Sequence, residues 1–312
     1  MSYADEIFKA NVLDILNNGT TTENQEVRPH WPDGTPAYTI KQFGVVNRYN
    51  LQKEFPAITV RKNGLKSCMD EILWIYQKKS SNINDLNSSI WDEWADEQGS
   101  IGKAYGYQIG EAFKFKQISE DKVDEETEKC KDYPSFKLFH TADDKIWIML
   151  DQMDSVLYQL KYTPFSRRIM TSLWNVNELN EMNLQPCCWN LEFNVTDKNR
   201  EDKKLTLNMV LNQRSNDMLA ANNWNVAQYA ILLMMIAQVS NMIPGELVHV
   251  ICDQHIYDRH VDIIKSIIER ETYPAPKVWL NPDIKNFYDF TTKDLNVVDY
   301  IAGEKVTFEV AI

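Results

Sequence analysis

Glycine, proline and positive charge are scarce in this chain of 312 residues. Ten glycines and eleven prolines are too few for a collagen-like repeat or an extended linker. Long apolar runs are missing as well. The longest, Tyr229 to Ala237, stops at Gln238, short of the roughly 20 residues that a spanning helix needs. The first residues carry Asp5 and Glu6 where a signal peptide needs positive charge, so a cytoplasmic location is expected, with no membrane partner. Lys and Arg number 33 against 45 Asp and Glu, a net charge of −12. Nucleic-acid surfaces depend on clustered Lys and Arg, so none is expected here, although a local basic pocket for a small anion stays open. The five cysteines (Cys68, Cys130, Cys187, Cys188, Cys252) are odd in number and lack CxxC spacing, which points to reduced thiols.

Apolar residues make up 44% and aromatics 11%, enough for an ordered core. No linker divides the chain, and no repeat is visible. Ser119 to Tyr133 and Thr196 to Lys204 are nearly all charged and are expected to be solvated insertions. The expectation is one domain over 1–312, with charged insertions near 112–147 and 196–204.

Periodicity predicts helices over Asp5 to Asn17, Leu65 to Gln77 and His260 to Arg270, and a buried one over Val226 to Ile243. Leu191, Phe193 and Val195, then Leu205, Leu207, Met209 and Leu211, alternate with polar residues and predict a strand pair. Strands and helices do not alternate regularly, so the fold class is α+β.

Several segments could carry chemistry. Cys187 and Cys188 follow Pro186. A thiolate is activated by nearby cations, which Arg167-Arg168 or Arg214 could supply; the plainer reading is two buried small hydrophobes. Arginine forks also suit phosphate. His249, Cys252, Asp253, His255 and His260 crowd one span, but the spacing fits no zinc signature and no metal is expected. A polar corner between a strand and a helix explains them as well. Glu71 adjoins an apolar helix face. Residue type alone favours a solvated carboxylate; a buried one could move protons. Trp91 and Trp94 offer aromatic faces for a ligand or for a core.

The order of these motifs carries more than any one of them. Pro186-Cys187, Gln213-Arg214-Ser215 with Asp217, Asn225 with Tyr229, and Asp253 with His255 and Tyr257 resemble the thymidylate synthases. The resemblance runs nearly end to end. It takes in Arg28 with Asp33-Gly34-Thr35, Phe55-Pro56, Glu71-Ile72-Leu73-Trp74, Ile90-Trp91-Asp92-Glu93-Trp94 and Tyr105-Gly106. It continues through Ser166-Arg167-Arg168, Trp174-Asn175, Ile236-Ala237-Gln238 and Pro244-Gly245-Glu246 to Val310-Ala311-Ile312.

That resemblance implies a mixed β-sheet packed with helices, its open face forming a homodimer. It implies reductive methylation of dUMP to dTMP, with 5,10-methylene-tetrahydrofolate as carbon and hydride donor. Cys187 would be the nucleophile, with Glu71, Tyr105, Asn225 and Arg214 also catalytic. Arg28, Gln213, Arg214, Ser215, Asp217, Asn225, His255 and Tyr257 would hold dUMP, with Arg167 and Arg168 reaching in from the partner. Ile90, Trp91, Trp94, Asp217 and the terminal Ile312 would face the folate.

The chain departs from the family pattern in three places. Cys188 replaces the usual His after the nucleophile. Ala221-Asn222-Asn223-Trp224-Asn225 replaces Gly-Leu-Pro-Phe-Asn, and Cys252 replaces the Gly before Asp253. Two alternatives follow: a dUMP (less readily dCMP) hydroxymethylase of the same family, and a non-catalytic nucleotide- or RNA-binding module on the same fold.

Overall fold

The computed structural model describes residues 1–197 and 204–312. Apart from its ends, the expected charged tip at 196–204 lies outside the described residues.

Helix α1 (Tyr3–Asn18) starts where the Ser2 hydroxyl accepts from the Asp5 amide, satisfying a donor that the first turn leaves open. It buries Phe8, Val12 and Ile15. Strands β1 (Thr20–Thr21) and β2 (Thr39–Asn50) follow. The helix expected over 65–77 has two geometries: α2 (Leu65–Ile72) and then a π-helical turn, Leu73–Gln77. The Lys78 amide bonds back five residues to the Leu73 carbonyl at 2.8 Å. The wider turn accompanies burial of Leu73, Trp74, Ile75 and Tyr76 in succession, more than one face of a regular helix would hide.

Next come α3 (Gly106–Gly110), β3 (Phe113–Ile118), α4 (Val123–Cys130), β4 (Lys137–His140), β5 (Ile146–Leu150) and α5 (Gln152–Tyr162). The three strands form an antiparallel sheet in the order β3-β5-β4. Its small core contains Ile118, Cys130, Ile146, Ile148, Leu150 and Tyr158. The expectation that Ser119 to Tyr133 is simply solvated is therefore corrected. Glu126 and Cys130, one turn apart on α4, both face inward and are buried. The Tyr158 hydroxyl donates to Glu126 at 2.7 Å, and Lys116 pairs with it at 2.8 Å. Pairing removes most of the cost of burying that carboxylate, so this inward face carries a charge and shows no apolar stripe.

The main sheet uses β6 (Met170–Ser172), β7 (Cys188–Thr196), β8 (Thr206–Asp217) and β9 (Ile243–Tyr257) with β1 and β2. The order is β1-β2-β9-β8-β7-β6. Every neighbouring pair is antiparallel except β8 and β9. A parallel pair needs a crossover, and α6 (Asn222–Val239) supplies it, buried almost throughout. This helix stops four residues short of the expected Ile243. Asn241 turns at a φ of 54°, and Ile243 opens β9. α7 (Val261–Ile268), β10 (Lys277–Leu280) and β11 (Leu295–Val298) complete the chain. The mixed sheet packed with helices is the expected α+β architecture. Among the described residues no helix is long and apolar enough to cross a membrane.

Candidate active site

Cys187 stands one residue before β7, partly accessible, while Cys188 begins the strand and is buried. The Cys187 carbonyl accepts from the Arg214 amide of β8 at 2.8 Å, tying the turn to the central sheet. The Arg214 guanidinium reaches back along this turn. Its Nη2 donates to the Gln185 carbonyl at 3.1 Å and lies 3.9 Å from the Cys187 Sγ. Burial pushes the thiol pKa up, while Arg214, Tyr105 and Arg28 pull it down. The arginines thus offset part of the cost of making a thiolate here.

Tyr105 braces the turn from the opposite side, accepting from the Cys187 amide at 3.1 Å. Its φ of 47° is rare for an aromatic residue, a strain that persists only where the surroundings fix it. Gly106 makes the approach possible: a Cβ there would come within 2.1 Å of the Ser80 carbonyl oxygen.

A chain of amides runs beside this thiol. Gln213 Nε2 donates to the Asn225 Oδ1 at 3.1 Å, and Asn225 Nδ2 donates to the Gln228 Oε1 at 3.0 Å. Ser215, between Arg214 and the strand end, offers its carbonyl to Gln213 Nε2 at 2.9 Å. Asp217 closes β8 and accepts from the Leu219 amide at 2.8 Å.

Glu71 is buried, contrary to the expectation from residue type alone. The Trp224 indole N–H donates to its Oε2 at 2.7 Å. Burial raises the carboxyl pKa above its ordinary value, and the facing donors of Trp224, Gln228 and Trp91 pull it back. Trp91 packs at 4.8 Å between ring centres against Tyr105 and at 5.7 Å against Trp94. Ile90 beside it is exposed.

The rim is different in character. Arg28, Arg167 and Arg168 are exposed. Arg28 bears on Cys187 and Tyr257; Arg167 and Arg168, in the turn before β6, are not among the leading influences on that thiol. His255 bonds to the Asp253 carboxylate at 2.8 Å and packs edge-on against Tyr257. Ile312 exchanges two backbone hydrogen bonds with His30, at 2.8 and 3.0 Å, so the C-terminus is clasped to the Arg28 segment. Arg259 reinforces this clasp by pairing with both Asp33 and Glu309.

Among the described residues no group of three or more His, Cys, Asp and Glu side chains is placed to hold a metal ion. The polar span splits instead: His249 is buried in β9, and His260 bonds to the Glu309 carbonyl.

Two residues that contact Asn225 and Glu71 carry little signal in the sequence. Gln228 is the one polar side chain besides Tyr229 between Val226 and Ala237 of α6, and that interruption was the available signal. Trp224 stood out only as a departure from the family loop, and its bond to Glu71 crosses 153 positions.

The thymidylate synthase family model matches residues 6–312. The thymidylate synthase of Bacillus licheniformis is 40% identical over 316 residues, covering 100% of both chains. Thymidylate synthase 1 of Bacillus subtilis (strain 168) is 39% identical with the same coverage. The solved structure of thermostable thymidylate synthase A from Bacillus subtilis superposes with a TM-score of 0.81 at 38% identity, covering 99% of each chain. This chain belongs to the thymidylate synthase family.

Proposed function

We propose that this protein converts dUMP to dTMP, with Cys187 as nucleophile. The observation that carries this reading is the Arg214 guanidinium 3.9 Å from a partly accessible Cys187 Sγ, with an ordered amide on Asn225 and a buried carboxylate on Glu71 nearby. C5 of uracil is a poor nucleophile until a thiolate adds to C6 and makes it enolate-like. Arg214 stabilises that thiolate and, with Arg28, Ser215, Arg167 and Arg168, holds the phosphate. Asn225 accepts from N3–H and donates to O4. His255 and Tyr257 hold the ribose hydroxyl, Glu71 moves protons at O4, and Tyr105 serves the network that takes the C5 proton.

The folate side is walled by Trp91, Trp94 and Ile90, with Asp217 facing it. The edge-on Trp91 and Trp94 rings, 5.7 Å between centres, offer aromatic surface for a heteroaromatic ligand. When bound, 5,10-methylene-tetrahydrofolate supplies the one-carbon unit and the hydride. The chain's own part is to stack and orient it, and to exclude water by closing the Ile312 tail. Hydride transfer distinguishes this reaction from the hydroxymethylase, which would quench with water. The relatives named above carry the synthase name, so the hydroxymethylase is not favoured.

The protein acts as a cytoplasmic homodimer of one catalytic domain per chain. Supporting this, the main sheet leaves Phe43 84% and Val46 54% exposed on β2, an apolar surface that a second copy would cover. Arg167 and Arg168 then serve the partner's phosphate site. Mixing a Cys187→Ala chain with an Arg168→Ala chain tests the sharing: activity reappears if the sites are shared, and stays absent if each chain is self-sufficient.

The functional test is formation of dTMP from dUMP with the reduced folate. Absence of dTMP, or replacement of dTMP by 5-hydroxymethyl-dUMP, would overturn the reading.

A further inference from the structure

His249 takes part in no proposed catalytic step. It lies in the middle of β9, buried, with Nε2 2.7 Å from the Gln213 Oε1. Its Nδ1 has no direct partner. Burial among apolar groups holds the ring pKa down at about 3, so the imidazole is neutral and carries one N–H. That proton must be on Nε2. Gln213 Nε2 faces three acceptors, the Ser215 carbonyl at 2.9 Å, Asn225 Oδ1 at 3.1 Å and Asn216 Oδ1 at 3.3 Å, so its Oε1 faces His249 and requires a donor.

The bonds then run in one direction. His249 donates to Gln213, Gln213 to Asn225 and Asn225 to Gln228. Gln228 Nε2 is buried without a direct partner, and its influence favours the charged form of Glu71. In this sense of the chain Asn225 retains one acceptor lone pair on Oδ1 and one N–H on Nδ2. Uracil presents N3–H and O4 to such an amide. Cytosine presents an N3 acceptor and an amino donor, and would require the amide reversed. Reversal would set Asn225 Nδ2 against Gln213 Nε2, donor to donor, and Oδ1 against Gln228 Oε1, acceptor to acceptor.

We propose that His249 is a specificity-determining positioning residue, anchoring a one-way chain of amides that fixes Asn225 for uracil and against cytosine. The inference rests on the proposed reaction with dUMP. Base discrimination thus begins at a side chain that touches no substrate. Without a donor at 249, the Gln213 Oε1 is buried and unsatisfied, and the bond that penalises a turned amide is lost.

The test compares full-length His249→Leu and His249→Gln with the parent. For each, kcat/KM is measured for dUMP and dCMP, and calorimetry gives the two binding constants. Leu removes the donor; Gln places an amide N–H where the imidazole Nε2 was. The expected result is a fall of roughly tenfold or more in the dUMP-to-dCMP ratio for His249→Leu, the scale of one lost hydrogen-bond constraint. In His249→Gln the ratio should stay within about threefold of the parent. If Leu is not tolerated in the core, His249→Asn takes its place, because its shorter amide cannot reach Gln213. A folded Leu or Asn variant that keeps the parent ratio overturns the proposal. A parent that binds and turns over neither nucleotide overturns the functional reading, and with it the substrate on which the proposal depends. A parent that prefers dUMP alongside an unaltered variant overturns the relay alone.

Discussion

The two ends of the proposed nucleotide pocket are built on opposite terms. At the base end the side chains are already engaged with one another: His249, Gln213, Asn225 and Gln228 form one bonded series, and Glu71 is tied to Trp224. At the phosphate end Arg28, Arg167 and Arg168 are exposed and make no side-chain hydrogen bond or ion pair among the described residues. The difference follows from what each end must recognise. A base is told from its analogues by donor and acceptor order, which calls for amides that cannot turn. A phosphate is a strong charge that orients flexible guanidiniums on arrival. The net charge of −12 describes the surface as a whole and conceals this local positive rim.

The contrast predicts a ranking of effects. Cys187→Ala removes the reacting atom, so turnover should fall by at least about 10⁴-fold, while dUMP binding persists in calorimetry. Residual activity near the parent level would mean that another thiol, with Cys188 adjacent, does the chemistry. Glu71→Gln keeps the shape of the base end but removes its proton carrier. A loss of about 10²- to 10³-fold in kcat is expected, with Tm unchanged or higher because a buried carboxylate has been replaced. A large fall in Tm would assign Glu71 to structure.

Smaller effects belong to the rim and to the brace. Arg28→Ala should raise KM for dUMP by about tenfold to a hundredfold, and added salt should weaken binding in the parent more than in the variant. Equal salt sensitivity would remove Arg28 from the phosphate site. Trp224→Phe deletes a donor that favours the charged Glu71. The carboxyl pKa, already raised by burial and by the neighbouring Asp70, should rise further. The acidic limb of kcat/KM then moves to higher pH by less than about one pH unit. Cys68, Tyr105 and Cys188 also face Glu71, but burial raises each of their pKa values and keeps them neutral. A limb that stays in place or moves down contradicts the assignment.

Local pattern accounts for much of this fold. The periodicity of α1, the unbroken apolar run of α6 and the alternation of β7 and β8 were legible because each pattern matches how its element is buried. The π-helical turn was not, since a wider turn leaves no distinct hydrophobic period. Burial of Glu126 and Cys130 was hidden because two of the groups that stabilise the carboxylate, Lys116 on β3 and Tyr158 on α5, are distant in sequence, and Lys129 on the same helix reads as a surface charge. For the site, residue type alone suggested that Glu71 was solvated and that His249 belonged to a possible metal cluster. The order of motifs along the chain identified the family, but it could not show what holds each side chain. The bond from Trp224 to Glu71 and the clasp between His30 and Ile312 join distant segments. Such contacts exist only once the sheet has formed.

The most direct measurement is product analysis after incubating the full-length protein with dUMP and 5,10-methylene-tetrahydrofolate. Nucleotides are separated by chromatography, and dihydrofolate is followed by its absorbance. The expected products are dTMP and dihydrofolate in equal amounts, both lost in Cys187→Ala. Nucleotide product without dihydrofolate, or 5-hydroxymethyl-dUMP in place of dTMP, would contradict the proposed reaction.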